Sequence, residues 1–379
     1  MQAFRDQTLP YSSLDFWRLI LIGTSLLTPL TSRIEEASFL IKPRPLDCVG
    51  LLRPCDQAET GQRLLGAEWM SAVSMWQTVW PSPSPPSLSQ PMSKERIVLY
   101  LHGGAYCAMS AQTHRILTHK ISKATGRRLF AINYRLAPEH KFPCALHDAV
   151  QSYLYLIDPN EKYHFNPKRI MVMGDSAGGG LALALLLYLR DHGLPCPEGA
   201  CLLSPWVDLT FQHPSWNDSS TFDYLPNDPS VLENMNPQPM YLGEDYTTEM
   251  LKHPYVSPLY ADHFENLPPI MVQSGSCEPL RDEIAHLAQR IQDSISSFVH
   301  HEVYEDMVHV FQAFPLGKKP ADAIKSIGWW ARTGAAMIST YQTKQCQITP
   351  KGKDLVLGQF ITRGLAPPLL GRRHRSIPG

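Results

Sequence analysis

A serine framed by glycines is the first reactive feature of this chain. Gly174-Asp175-Ser176-Ala177-Gly178 follows an apolar run at 170–173 and precedes a Leu/Ala-rich stretch at 181–187, which is the order strand, sharp turn, helix. A strand that reverses so tightly into a helix brings backbone against backbone, leaving no room for a Cβ at positions 174 and 178. Such a turn lifts the Ser176 hydroxyl clear of the sheet. It also presents the amide of Ala177, at the start of the helix, to any negative charge that develops beside the serine. The chemistry this predicts is attack by a serine oxygen on an acyl carbon.

An oxyanion and a proton then have to be managed. His102-Gly103-Gly104-Ala105 comes directly after an apolar run at 97–101. A tetrahedral intermediate needs donors about 3 Å from its oxygen, and the amides of Gly103 and Gly104, with that of Ala177, are the candidate oxyanion hole. His102 reads as a brace, because a base has to reach Ser176 from the far side of the pocket. The base is expected late in the chain, since this architecture orders its partners serine, acid, histidine. His309, in the loop after the last predicted strand, is the candidate; it takes the proton of Ser176 and returns it to the leaving group, while a carboxylate fixes its tautomer. Glu278 is the candidate acid, in the loop beyond the strand predicted at 270–273. Asp282 and Glu283 are the nearby rivals. They fall in the first turn of a helix after Pro279, where negative charge is favoured with or without catalysis.

The elements that must position these residues alternate in type. Strands are predicted at 97–101, 129–133, 170–173, 200–203, 270–273 and 299–304, and helices at 114–124, 145–157, 180–191, 281–294 and 321–341. Strand alternating with helix predicts an α/β fold, a mostly parallel sheet with helices on both faces, whose ligands bind beyond the carboxyl ends of the strands. Residues 1–91 are read as an N-terminal segment and Pro/Ser-rich linker, 92–345 as the catalytic domain with an insertion at about 207–262, and 346–379 as a basic tail. Trp69 and Trp76 are seven apart, the spacing of one helix face, and serve either core packing or a lid.

Composition narrows the partners. With 34 basic against 35 acidic residues among 379, no field recruits nucleic acid. Eight cysteines without a Cys-x-x-Cys pair, and fifteen histidines without His-Glu-x-x-His, suggest neither a zinc site nor a disulfide scaffold, so no metal or organic cofactor is expected. His300-His301 is read as straddling the two faces of a strand. The apolar run at 19–30 is shorter than the ~20 residues that span a bilayer. Residues 14–30 are therefore read as a soluble or membrane-surface helix with an anchor as the rival, which places the chain in the cytoplasm or at a membrane surface such as the endoplasmic reticulum; Asn217-Asp218-Ser219 is a secretory hint.

Several motifs agree in order and spacing: His102-Gly103-Gly104-Ala105, Tyr134-Arg135-Leu136-Ala137-Pro138-Glu139-His140, Gly174-Asp175-Ser176-Ala177-Gly178-Gly179, Ser204-Pro205-Trp206-Val207-Asp208-Leu209 and Glu278-Pro279-Leu280-Arg281-Asp282-Glu283. Together, over about 94–315, they resemble the hormone-sensitive-lipase-like branch of the α/β-hydrolases, which includes arylacetamide deacetylases and fungal steryl acetyl hydrolases. The resemblance implies an α/β-hydrolase fold with a helical cap, formed by the N-terminal segment and the 207–262 insertion. It also implies a small-molecule hydrophobic ester as substrate, with a short acyl chain on a bulky, sterol-like alcohol. Two departures stand out: Ala105 replaces the third glycine of the usual His-Gly-Gly-Gly, and Glu278 replaces the usual aspartate. The expectation is a serine carboxylic-ester hydrolase working through an acyl-enzyme. The alternatives are acyl transfer by the same machinery and a non-catalytic small-molecule receptor on the same fold.

Overall fold

A run such as Ile97-Val98-Leu99-Tyr100-Leu101 is apolar on both sides of its pleat, and only a sheet covered on both faces can bury it. The computed structural model describes residues 32–43, 48–72, 94–218, 222–225, 236–314 and 317–335. Its strands are β1 (Ser32–Ile41), β2 (Arg63–Ala72), β3 (Ile97–Leu101), β4 (Arg128–Ile132), β5 (Ile170–Asp175), β6 (Gly199–Leu203), β7 (Ile270–Gly275) and β8 (Val299–Tyr304). Its helices are α1 (Arg53–Gln57), α2 (Arg115–Thr125), α3 (Cys144–Ile157), α4 (Ala177–Asp191), α5 (Pro237–Leu242), α6 (Thr248–Leu251), α7 (Arg281–Gln292) and α8 (Lys318–Trp329).

The strands form one sheet in the order β1-β2-β4-β3-β5-β6-β7-β8. Pairing is antiparallel from β1 to β2 and from β2 to β4, and parallel from β4 onward. The period of two divides each strand between two cores. Ile97, Leu99 and Leu101 join Ile170 and Val172 under α3, α4 and α7, whereas Val98, Tyr100, Met171 and Met173 pack with α2 and α8. α4 is buried from Ala177 to Leu189, so its Leu/Ala run is apolar all round because it has no solvent face over those residues.

Residues 32–72 correct the expectation of an N-terminal cap, because they supply two strands of the sheet. Their pattern hides this: β1 begins Ser-Arg-Ile-Glu-Glu, with the charge of an edge strand, and only Phe39 and Ile41 turn inward as buried side chains. Trp69 belongs to β2 and not to a helix face; Trp76, the run at 14–30, the linker at 81–91 and the tail at 346–379 lie outside the described residues. The helix predicted at 321–341 is α8, which continues as a π-turn to Gly334 and on to Ala335, while 336–341 lie outside the described residues. The described part of 207–262 holds only 3-10 turns and the short helices α5 and α6. Among the described residues no helix is long and apolar enough to cross a membrane.

Trp69 holds β2 to its neighbours. Its ring lies 4.7 Å from that of Phe130 and 4.4 Å from the Arg128 guanidinium, and its Nε1 donates to Tyr163 Oη at 2.9 Å. Trp69→Ala is expected to destabilise the fold by about 3–5 kcal/mol, as for other large-to-small core changes. Urea unfolding measures it, and a midpoint equal to wild type would contradict the central place of β2.

Candidate active site

The sheet order reverses between β3 and β5: from β3 the chain steps outward to β4, then returns across β3 to build β5 on its other side. Loops leaving the two strand ends diverge there, and such a switch point opens a crevice. Ser176 stands in it, directly after β5. Its backbone has φ 53° and ψ −125°, a strained conformation for a residue with a Cβ. Neighbours hold it: its N–H donates to Leu203 C=O of β6 and its C=O accepts from Trp206 N–H, each at 2.9 Å. The turn is pressed onto the chain leaving β3. A Cβ at Gly178 would lie 2.1 Å from Leu101 O and 2.3 Å from His102 O, closer than any side chain tolerates.

Glu278 and His309 meet. His309 Nδ1 and Glu278 Oε2 are 2.7 Å apart, and both side chains are buried. Glu278 Oε1 accepts from Gly275 N–H at 2.7 Å and from Ser204 Oγ at 3.2 Å. Ser204 Oγ in turn accepts Val310 N–H at 3.1 Å, tying the histidine loop to the end of β6, one residue beyond the Leu203 carbonyl that holds Ser176. The loop is also held by Asp223, which accepts His309 N–H. Burial pushes the His309 pKa down, but the adjoining Glu278 carboxylate, helped by Asp223 and Asp175, outweighs this and holds it above its ordinary value. The other ring nitrogen, Nε2, is buried without a hydrogen-bond partner among the described residues. Of the rivals, Asp282 pairs with Arg281 at 2.8 Å, and Glu283 accepts Val207 N–H at 2.9 Å, Asp208 N–H at 3.2 Å and Trp216 Nε1–H at 3.1 Å, which anchors the loop after β6.

The loop after β3 corrects one assignment. Gly103 N–H donates to Asp175 Oδ1 at 3.1 Å, so this amide is turned to a carboxylate and is not available to an oxyanion. Successive glycines look alike in sequence; the deciding group is the aspartate one position before the serine. The amides of Gly104 and Ala105 have no hydrogen-bond partner among the described residues. Their residues have φ of 112° and 52°, and Cys107 N–H and Ala108 N–H close the turn on Gly104 C=O. His102 is the brace that its position suggested. It stacks on Tyr134 at 4.3 Å, its Nδ1 lies 2.7 Å from Gly103 O, and burial pushes its pKa down to about 3.

Two supports had no sequence signal of their own. Asp223 lies in the irregular insertion, and Lys120 of α2 reads as an ordinary surface lysine. Lys120 Nζ donates to the carbonyls of Gln312, Ala313 and Phe314 at 3.2, 3.2 and 2.9 Å, just after His309. His300 and His301 do straddle β8, His300 Nε2 lying 3.1 Å from Glu302 Oε1 and His301 Nε2 2.8 Å from Ser274 Oγ. One buried group, Cys48, Asp56 and His147, has metal-ligand chemistry, its ligand atoms lying within 4.8 Å of one another. Protein donors already occupy it: Gln151 Nε2 donates to Asp56 and Cys48, and Arg135 Nη2 lies 3.0 Å from His147 Nδ1. An Arg cation against the histidine opposes a metal, and the cluster reads as a structural knot between α1 and α3.

Comparison with known proteins agrees with this geometry. Residues 98–313 match the alpha/beta hydrolase fold family, and the chain belongs to that family. It is 37% identical over 240 residues to an acetyl-hydrolase of Streptomyces hygroscopicus, covering 63% of this chain and 76% of the relative. It is 33% identical over 222 residues to an esterase of Acinetobacter venetianus, covering 59% and 69%. Among solved structures, an esterase from the bacterial hormone-sensitive lipase family is similar with a TM-score of 0.67 at 30% identity, covering 88% of this chain and 94% of that one. The protein is a carboxylesterase-type hydrolase of the hormone-sensitive-lipase-like kind.

The Glu278–His309 contact has a direct solution signature. An NMR titration of the His309 ring is expected to give a midpoint above 6.5 in the wild type and a lower one in Glu278→Gln, where burial acts without the compensating charge. A midpoint unmoved by the substitution would show that the two groups do not interact.

Proposed function

We propose that the protein hydrolyses an apolar carboxylic ester with a short acyl group through an acyl-enzyme on Ser176. The observation that carries this reading is the buried Nε2 of His309, without a partner among the described residues, opposite an Nδ1 locked on Glu278. A polar nitrogen stripped of water and left without a partner costs on the order of 1–3 kcal/mol, a cost that a proton-transfer role explains.

In this mechanism Ser176 Oγ attacks the ester carbonyl carbon as its proton passes to Nε2 of His309, and Glu278 stabilises the imidazolium through Nδ1. The carbonyl oxygen becomes an oxyanion held by the amides of Gly104, Ala105 and Ala177, with Ala105 taking the place first assigned to Gly103. Collapse expels the alcohol, which takes the proton from His309. Water then attacks the acyl-Ser176 ester, giving up a proton to His309, and the acid leaves as Ser176 recovers its own. Ala105 in place of glycine does no harm here, since an amide is what is used and the φ of 52° is already adopted.

The name of the Streptomyces relative supports an acetyl or similarly short acyl group. Aromatic surface near the base supports an apolar substrate: Tyr224 lies 6.0 Å from His309 and 6.3 Å from Phe314, and Phe222 is exposed. Contact with a membrane surface through residues 14–30 would suit such a substrate.

Ser176→Ala is expected to abolish turnover of p-nitrophenyl acetate while leaving the thermal melt intact, and a fluorophosphonate should label Ser176 alone. Wild-type turnover in water without an added acceptor separates hydrolysis from acyl transfer; near-normal activity in Ser176→Ala would defeat the mechanism. Glu278→Gln is expected to lose on the order of 10⁴ in kcat, by analogy with other triads, and Glu278→Asp to keep a measurable fraction. Asp282→Asn, which breaks only a pair with Arg281, should leave kcat near wild type. The reverse pattern would move the acid to Asp282.

A further inference from the structure

Beneath the turn that carries Ser176 lies a second carboxylate–imidazole pair. Asp175 is only 3% exposed, and three donors reach it: Tyr100 Oη at 2.6 Å and Gly103 N–H at 3.1 Å on Oδ1, and His114 Nε2 at 3.2 Å on Oδ2. The other nitrogen of His114, Nδ1, lies 3.0 Å from Ser110 C=O and 3.0 Å from Thr113 Oγ1, and that hydroxyl itself donates to Ser110 C=O. Both ring nitrogens therefore face acceptors. A neutral imidazole has one N–H and satisfies only one of them; the imidazolium satisfies both.

The remaining surroundings agree. His114 is buried against the rings of Tyr100 and His102, at 6.2 and 5.6 Å, and among the described residues the one acid in contact with it is Asp175. Burial alone would push its pKa down, yet the Asp175 carboxylate holds it above the ordinary value, and His114 in turn holds Asp175 below its own against the same burial.

We propose that His114 is a positioning residue for the oxyanion loop: as an imidazolium it fixes and neutralises Asp175, and Asp175 fixes the Gly103 N–H from which Gly104 and Ala105 are hung. The loop needs such an anchor, since Gly104, Ala105 and Tyr106 all take positive φ, at 112°, 52° and 63°. It is also pressed against the nucleophile, for a Cβ at Gly103 would lie 2.4 Å from Asp175 Oδ2 and 3.1 Å from Ser176 Cβ. The charge matters as much as the geometry. A buried carboxylate adjoining Ser176 would oppose an oxyanion forming beside it, and a paired cation removes most of that field.

The proposal rests on the serine-hydrolase reading above, and one set of variants separates the two. Wild type and Ser176→Ala are assayed beside His114→Ala, His114→Gln, Asp175→Asn and the double variants with p-nitrophenyl acetate, and the binding of a trifluoromethyl ketone, which forms a tetrahedral oxyanion, is measured for each. His114→Ala is expected to lower kcat roughly tenfold to a hundredfold, below the cost of deleting an oxyanion donor outright, with KM within about twofold. The ketone should weaken by the same factor. His114→Gln, which keeps a donor for Asp175 without the charge, should recover part of the loss. In the Asp175→Asn background His114→Ala should cost little more, because it acts through Asp175. A kcat within twofold of wild type, a loss confined to KM, or additive effects in the double variant would overturn the proposal while the hydrolase reading stood. A wild type without ester turnover would take both down. Should His114→Ala fail to fold, the same cycle with His114→Gln decides by the same criteria.

Discussion

Backbone contact between two strand ends is what the site depends on. Gly178 rests on the carbonyls of Leu101 and His102 so closely that no Cβ fits, and this joins the turn after β5 to the loop after β3. The strain at Ser176 is the counterpart of that contact. A chain forced to reverse over its neighbour's backbone leaves the serine at positive φ, and bonds to Leu203 and Trp206 keep it there. Because these partners come from the end of β6 and the loop beyond it, Ser176 is positioned by three adjacent parallel strands, and its location at the switch point follows from the strand order.

Two buried carboxylate–imidazole pairs flank the serine, and their difference lies in how many nitrogens are occupied. In Asp175–His114 both ring nitrogens have acceptors, so the ring is closed to further chemistry and acts as a fixed cation. In Glu278–His309 one nitrogen is locked and the other is left open. Chemically similar pairs are thus suited to opposite ends under the proposed mechanism, one to holding a proton and one to passing it on. The count of available acceptors separates them, since both histidines are raised by an adjoining carboxylate against their burial.

Much of this was legible in the chain. The apolar runs became β3 to β8 within a residue or two, because a strand buried on both faces has no other way to hide its side chains. Ser176, Glu278 and His309 carried signals in motif and order, and the structure places Glu278 on His309. What escaped has physical reasons. β1 and β2 belong to the antiparallel side of the sheet, where charged edge residues blur the apolar period. Gly103 and Gly104 differ only in what their amides face, which local sequence does not record. His114 and Asp223 act through contacts 61 and 86 residues away in the chain, and no short motif spans such separations.

Helix α2 touches both walls of the crevice. His114, immediately before its first residue, holds Asp175, and Lys120, near its middle, holds the carbonyls after His309. Oxyanion loop and base loop are therefore mechanically coupled through one short rod lying outside the chemistry. A displacement of α2 would therefore disturb both walls together, and a change that holds it still would steady both.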